Sequence, residues 1–519
     1  MPISSPCPPI EIPDIGLYEG VIGNLSPEDE SRVAIVDTAT GVETTYAELR
    51  DHIHAAAGAL HARGVGVGDV VALHCVNSLA FVVAAHATWK IGGVLSPISS
   101  LATPSAIAEQ LKDSHATLLL TLQALGEGAA HAAAETGLGE KQVVHLDGPN
   151  GLRSLLSEGH AAPEVEFDAA THVAALPYSS GTTGLPKGVQ LTHRNLVANV
   201  RQAQARDLVL KEDTVYGVLP FFHIYGLTAL ANVTLAQRGC LVTAPKFDIA
   251  EFLRAHQDHN VSFSFIAPPI AVLLAKHPAV AEADLSSLRA FFSGAATLDT
   301  ELAHAVEERL RVPVQQGYGM TETSPMTHAN QDPHVDRGSI GEVVANTEFK
   351  LVDTETGEEI PLPRQGRSDL GELWVRGPQI MKGYLNRPEE TALALPGDGW
   401  LRTGDIAEMD PEGHVFIVDR LKELIKYKGY QVPPAELESL LLTHPNVDDV
   451  GVVGVIRDGE EIPKAFVVPT SGAALSEKDI MDFIAERIAP YKKVREVEFI
   501  SAIPKSATGK ILRRELKQR

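Results

Sequence analysis

The chain has 519 residues, too many for a single hydrophobic core, so two or more domains are expected. At 44% hydrophobic and 21% charged it has the make-up of a soluble globular enzyme. A formal net charge of −23, from 44 Lys+Arg against 67 Asp+Glu, argues against nonspecific binding to nucleic acid or to an anionic membrane.

The three cysteines, Cys7, Cys75 and Cys240, lie far apart without a C-x-x-C, which speaks against a zinc site or a disulfide framework. The first residues have neither the basic start nor the apolar stretch of a secretory signal. No apolar run approaches the roughly 20 residues needed to span a membrane. Leu516-Lys-Gln-Arg519 is not a peroxisomal address, so a cytoplasmic location is expected.

In chain order, Thr45-Tyr-Ala-Glu48 has the form of a capping box and opens a helix that runs through Ala55–Leu60 to Gly64. Val70–His74 reads as a strand, and the Ala/Gly-rich residues 124–150 as a peripheral helix and loops. Val173–Leu176 reads as a buried strand, and a helix begins near Asn195 with Thr192 as its cap. Val261–Ile266 is a strand closed by Pro268-Pro269, and Leu298–Leu310 a helix that leads to a strand at Val312–Gln315. This alternation predicts an α/β fold of mostly parallel sheets with helical crossovers for about the first 420 residues. His414–Val418 is a strand ending in the charged quartet Asp419-Arg-Leu-Lys422. A small α+β domain of about 100 residues follows: helices at Pro434–Thr443 and Ser476–Ile488, strands at Val450–Val455, Lys464–Val468 and Val497–Ile500.

Between the Val173 strand and the Asn195 helix lies Tyr178-Ser-Ser-Gly-Thr-Thr-Gly-Leu-Pro-Lys-Gly188. Its glycines let backbone N–H groups turn toward an anion, while its hydroxyls and Lys187 add donors and charge, as in a phosphate-gripping loop. Pro186 before Lys187 excludes a Walker A loop, and the glycine spacing excludes a dinucleotide fingerprint. A flexible surface loop is the alternative.

Gly317-Tyr-Gly-Met-Thr-Glu-Thr323, at the carboxyl end of a strand, offers a ring for a base, a hydroxyl for a phosphate and a carboxylate for Mg²⁺; otherwise it is a glycine turn with a surface Glu. Asp405 in Trp400-Leu-Arg-Thr-Gly-Asp405 is either a clamp for ribose hydroxyls or a solvated turn residue. Residues 419–431 put one Arg and three Lys within nine positions, which makes either a local positive field or a solvated charged helix. Pro504–Arg514 either swings Lys510 into a distant site or is a solvated tail. His223 in Phe221-Phe-His-Ile-Tyr225 is either a satisfied core residue or a catalyst.

Six such motifs in this order resemble the adenylate-forming acyl-CoA ligase superfamily from about Thr45 to the C-terminus, and within it the 4-coumarate–CoA ligases and their bacterial relatives. The resemblance implies ATP, Mg²⁺, coenzyme A and a small carboxylic acid as cofactors and substrates. In two steps, the acid forms an acyl-adenylate with release of pyrophosphate, and the thiol of CoA then displaces AMP. It implies an N-terminal domain over residues 1–419 and a mobile C-terminal domain over residues 420–519, hinged at Lys422. Ser179, Ser180, Gly181, Thr182, Thr183 and Lys187 would hold the ATP phosphates. Ala295, Gln316, Gly317 and Tyr318 would line the adenine site. Thr321 would meet the α-phosphate and Glu322 the metal, and Asp405 and Arg420 would bind ribose. Lys510 would serve adenylation; Lys426 and Gln431 would serve the adenylate or thioester step. Lys246, Lys428 and Gly429 would contact CoA, with His223 where carboxylate and thiol meet.

Tyr225, Ala229, Pro325 and Met326 would form the acid pocket. Met326 and the small Ala229 and Ala329 depart from the plant pattern. An aryl-propenoic acid such as 4-coumarate is the expected substrate, with another aryl acid, a medium-chain fatty acid, or loading of a carrier protein as alternatives. A luciferase-like oxygenase stands further off, since the usual peroxisomal ending is absent. Acylation of Lys510 by a lysine acyltransferase would delete its charge and switch adenylation off.

Overall fold

The computed structural model describes every residue except 1, 149–150, 180–185, 429, 458 and 507–508. Two large sheets dominate. The first has nine strands, and its centre is parallel throughout: Val33–Asp37, Cys240–Thr243, Thr214–Gly217, Phe263–Ile266, Ala290–Ser293 and Val314–Gly319, side by side. The second has eight strands, with Val173–Ala175, Val94–Ile98, Val70–His74, Leu118–Thr121 and Val143–His145 in parallel. Both match the parallel α/β expectation. The Leu79–Lys90 helix is apolar on every side because it is buried on every side, and Trp89 within it donates to the Ala174 carbonyl of the second sheet (2.9 Å).

The capping box at Thr45 forms and starts the Tyr46–Ala62 helix; Thr192 caps His193–Gln204 in the same way. Three expectations shift. Pro268 opens a helix, Pro268–Lys276, because a first-turn proline gives up an N–H that had no helical partner. The next helix begins at Thr300, two residues late, because the Asp299 carboxylate accepts the N–H groups of Glu301 and Leu302. Within 124–150, a helix at Gly128–Glu135 is joined by a strand, Val143–His145, held by parallel pairing with Leu119–Thr121.

The stretch before the C-terminal unit differs more. Glu348–Val352, Gly371–Arg376, Leu401–Met409 and Val415–Arg420 form a third, antiparallel sheet whose edge is the N-terminal Ile3–Ser4. Its last two strands are joined by a short turn, which admits only antiparallel neighbours. In that turn, Asp410 accepts the N–H groups of Glu412 and His414 around Gly413, whose φ is +86°. The last strand runs on through Asp419 and Arg420, the first half of the charged quartet expected to follow it.

The large apolar core ends at Val415, and separate cores begin at Ile425. In the C-terminal unit, Val447–Arg457 and Glu460–Pro469 make a longer hairpin than the sequence suggested, and Glu496–Phe499 pairs parallel to it. The helices Pro434–Leu442 and Glu477–Ala485 bury Leu437, Leu441, Ile480 and Ile484 in its core. The basic run after Asp419 forms a small hairpin, Ile425–Tyr427 with Tyr430–Val432. No described helix is long and apolar enough to cross a membrane.

Candidate active site

The phosphate loop is pinned at both ends. Tyr178–Ser179 pairs antiparallel with the start of Lys187–Thr192, Ser179 opposite Lys187 and Tyr178 opposite Gly188. The Tyr178 hydroxyl donates to Asp113 Oδ2 (2.8 Å), and a β-carbon at Gly188 would sit 3.1 Å from the Tyr178 ring. Ser180, Gly181, Thr182 and Thr183 lie outside the described residues. Glu322 Oε1 accepts from Ser179 Oγ (3.3 Å) and from the Tyr384 hydroxyl (2.8 Å), and Lys187 Nζ stands 4.9 Å above the Tyr384 ring. Tyr384 therefore joins Ser179, Lys187 and Glu322. Sequence reasoning missed it; the available signal was an aromatic directly after Gly383, whose φ of +152° suits glycine. Burial and the Glu322 charge raise the Tyr384 hydroxyl's pKa, so it remains a donor.

Gly317 and Tyr318 are not in a loop, because the Val314–Gly319 strand continues through them, paired with Met326–Asn330. Glycine is required at 317, where a β-carbon would meet the Phe292 ring at 2.4 Å. Thr321, Glu322 and Thr323 form a single buried turn directly after the strand. Asp405 is a buried strand residue rather than a solvated turn Asp, and lies opposite Arg420 in register. Asp405 Oδ2 accepts from the Tyr318 hydroxyl (2.5 Å), and Oδ1 pairs with Arg420 Nε (2.8 Å). Asp405 raises the pKa of Arg420, while burial and then Asp405 raise that of Tyr318. A carboxylate has about four lone-pair sites, so two remain for further donors.

Gln316, expected to line the adenine site, turns its side chain to the scaffold. Its amide oxygen accepts the Leu298 N–H (2.8 Å), and its nitrogen donates to the carbonyls of Arg337 (3.0 Å) and Ser339 (3.1 Å). That amide is spent on the scaffold, so only the main chain at 316 can face a base. Ala295 is exposed, with a φ of +72°, on the loop that follows Ala290–Ser293.

A cavity of about 660 Å³ is lined by His223, Phe222, Thr321, Tyr178 and Pro186, with Pro97, Ala102 and Ala106 among its mostly apolar walls. Burial pushes the His223 pKa down to about 4, so the imidazole is neutral; its Nδ1 accepts the Tyr225 N–H (3.3 Å). Tyr225, Ala229, Pro325 and Met326 are buried. The Tyr225 hydroxyl donates to the Phe292 carbonyl (3.0 Å), and a β-carbon at Gly294 would touch its ring at 2.9 Å. Asn199, unmarked in the sequence, holds the Met326 backbone from both sides (2.7 and 3.0 Å).

Lys510, in the C-terminal unit, lies within electrostatic range of Asp405 and Arg420. Gly509 lies so close to the Pro268–Lys276 helix that a β-carbon there would be 2.7 Å from Pro269 Cγ. Burial and the Arg420 charge lower the Lys510 pKa, while Glu423 and Asp405 act in the opposite sense. Arg513, three residues on, pairs with Glu423 and with Glu438 Oε2 (2.6 Å) and fixes this segment. Lys426 and Gln431 face each other across the small hairpin, with Lys428 at its turn (φ +49°). Gly429 lies outside the described residues. Lys422 is exposed just past the third sheet, and Lys246 is exposed beyond the carboxyl end of Cys240–Thr243.

One cluster thus joins the Tyr318 hydroxyl, the Asp405 carboxylate and the Arg420 guanidinium, and a second joins the Ser179 and Tyr384 hydroxyls, Lys187 and Glu322, groups of the kind that bind ribose and phosphates. Residues 27–385 match the family of AMP-binding enzymes and residues 436–510 the AMP-binding enzyme C-terminal domain. The chain belongs to this family, and it is an ATP-dependent, AMP-forming acid–CoA ligase with ATP and CoA as substrates. It is 40% identical over 530 residues to 4-coumarate--CoA ligase 3 of Oryza sativa subsp. japonica, covering 99% of this chain and 94% of that protein. With 4-coumarate--CoA ligase 2 of Nicotiana tabacum it shares 40% identity over 531 residues, 99% and 96% covered. Among solved structures, ATP-bound MatB from Rhodopseudomonas palustris overlays with a TM-score of 0.88 at 30% identity, covering 97% of this chain and 98% of that one. The apo form of the same protein overlays at 0.77, with the same identity and coverage. The anthranilate CoA ligase AuaEII with anthranoyl-AMP overlays at 0.88 and 25% identity, with 98% of each chain covered.

Proposed function

We propose that the acid is an aryl-propenoic acid such as 4-coumarate, and that the chain is described in the orientation used for its adenylation. One observation carries the orientation: Lys510, from the C-terminal unit, lies within the electrostatic reach of Asp405 and Arg420, while no described contact joins Lys426 or Gln431 to His223. The better overlay on the ATP-bound form of MatB than on its apo form supports this. The names of the 40% identical relatives support the acid, as does an aromatic wall at Tyr225 beside Gly294 and the small Ala229.

In this reading Ser179 and Lys187 grip the β- and γ-phosphates, together with the loop from Ser180 to Thr183. Tyr318 faces the base, and Asp405 and Arg420 hold ribose. A carboxylate oxygen of the acid attacks the α-phosphorus, and the bridging oxygen leaves with pyrophosphate. Negative charge builds at the reacting phosphate, and Lys510, Arg420 and Thr321 are placed to stabilise it. Glu322 suits Mg²⁺: it is a nearly buried hard oxygen donor, both its described side-chain hydrogen bonds fall on Oε1, and none among the described residues falls on Oε2. When bound, Mg²⁺ supplies charge neutralisation for the phosphates.

For the second step the C-terminal unit turns about Lys422, withdrawing Lys510 and bringing the hairpin of Lys426, Lys428, Gly429 and Gln431 to the cleft. Leu421 N–H is still tied to the Gly404 carbonyl of the third sheet (2.8 Å), so Lys422 is the first residue past that anchor. The largely apolar cavity that His223 helps to line suits the pantetheine arm of CoA, with Lys246 and Lys428 for its phosphates. His223, being neutral, positions by hydrogen bonding rather than by charge. The CoA thiolate adds to the acyl carbon, and AMP leaves with the bonding electrons. A lysine acyltransferase acting on Lys510 would work best with the C-terminal unit turned away, since Lys510 is partly buried here.

The test is pyrophosphate release over a panel of aryl-propenoic, benzoic and medium-chain acids, with and without CoA. Preference for 4-coumarate with thioester formed in step with pyrophosphate is expected. Preference for a medium-chain acid would replace the acid, and release without thioester would point to a carrier protein as acceptor.

A further inference from the structure

The helix Pro434–Leu442 opens the C-terminal unit with two prolines. Pro433, at its N-cap, carries no side-chain acceptor, and Pro434 has no N–H, so the first donor of the helix is Ala435. That N–H is not met from within the C-terminal unit. It donates to Asp419 Oδ2 (2.9 Å), while Oδ1 accepts from the Arg420 N–H (2.7 Å). Asp419 lies on the last strand of the third sheet, opposite Ile406, and is 6% exposed. The cap therefore reaches from one side of Lys422 to the other. The neighbouring ion pairs do not: Arg513 with Glu423 and Glu438, and Glu438 Oε1 with the Val452 N–H (2.7 Å), all follow Lys422 and travel together.

We propose that Asp419 is a positioning residue for adenylation: its carboxylate, fixed to the N-terminal sheet, caps the first helix of the C-terminal unit and latches that unit in the orientation that places Lys510 at the nucleotide. Rotation about Lys422 leaves Asp419 behind and breaks the cap, so the latch acts in the first half-reaction and is absent from the second. A carboxylate at a helix N-terminus stabilises both through the hydrogen bond and through the helix dipole, enough to bias a two-state equilibrium by about tenfold. The proposal rests on the two-orientation reading above.

In the full-length enzyme, acid-dependent exchange of pyrophosphate into ATP and thioester formation from supplied acyl-adenylate and CoA are measured on one preparation each of wild type, Asp419→Ala, Asp419→Asn and Lys510→Ala. Because both rates come from the same preparation, their ratio is independent of the folded fraction. Asp419→Ala is expected to lower adenylation relative to thioester formation by about tenfold. Asp419→Asn keeps an acceptor at the cap and should recover most of the ratio. Tryptic cleavage of the 420–424 segment should be faster in Asp419→Ala than in Asp419→Asn. An unchanged ratio in Asp419→Ala, or Asp419→Asn no better than Asp419→Ala, overturns the latch. Equal loss of both half-reactions in Lys510→Ala overturns the two-orientation reading itself, whatever the Asp419 variants do.

Discussion

The two units handle charge in opposite ways. Before Lys422 the candidate carboxylates are buried and already tied to their neighbours: Asp405 to Tyr318 and Arg420, Glu322 to Ser179 and Tyr384. In the C-terminal unit the candidate lysines sit on a small hairpin and near the chain's end: Lys426 and Lys428 exposed, Lys510 partly buried beside Gly509, which lies against Pro269. A receptor for nucleotide gains from preorganisation, since its dipoles need no rearrangement as charge develops. Cations needed for one step and unwanted in the next gain from being detachable.

The contrast breaks first at Lys510. Lys510→Ala should lower adenylation by roughly 10²–10³-fold, the usual cost of losing a donor to developing charge. Thioester formation from supplied adenylate should stay within about twofold, and equal losses would mean the C-terminal unit does not divide its work. Asp405→Ala tests the fixed side: it leaves the Arg420 guanidinium and the Tyr318 hydroxyl without their partner. It should cost about 3 kcal/mol of stability in urea unfolding of the N-terminal unit, besides activity.

The units should also part in acid. His86, His193 and His328 have pKa values near 3, and His223 and His256 near 4, all lowered by burial. All five precede Lys422; beyond it there is a single histidine, His444. The native state binds fewer protons than the unfolded one at these sites, so their stabilising effect is complete above pH 6.5, the ordinary histidine value, and is lost as pH falls toward 4. Hydrogen exchange between pH 7 and 5 should show the N-terminal unit loosening first, with its melting point falling by about 5 °C. Earlier loss of the C-terminal helices would contradict this. The smallest effect is at Tyr384→Phe, which deletes one hydrogen bond to Glu322 and should raise KM for MgATP about fivefold, with thioester formation from adenylate unchanged.

Much of the site was legible because its chemistry needs rare residue combinations. Glycines, hydroxyls and one lysine between Tyr178 and Gly188 mark a phosphate loop from local composition. What holds the site was not legible, because it depends on groups far apart in the chain. Tyr384 reaches Glu322 across 62 residues, Asp113 reaches Tyr178 across 65 and Asn199 reaches Met326 across 127. Asp405 and Arg420 were both singled out, but as a turn residue and as part of a charged quartet after a strand. Their pairing follows from antiparallel register, which periodicity over a short strand does not reveal. The Gln316 amide lies beside the proposed nucleotide site and yet serves the scaffold, because its partners, the Arg337 and Ser339 carbonyls, come from a later loop.

By itself the sequence determined the parallel α/β layout of the two large sheets, the small domain after about residue 420 and the identity of the charged groups, since periodicity, caps and local composition act over a few residues. Only the tertiary structure decided the antiparallel third sheet, which of those groups are spent on one another, and that Lys510 lies within electrostatic range of Asp405 and Arg420. Those outcomes depend on long-range contacts and on the angle between two separately cored units, and a cap supplied across Lys422 by Asp419 is a term in that angle which no local stretch of sequence contains.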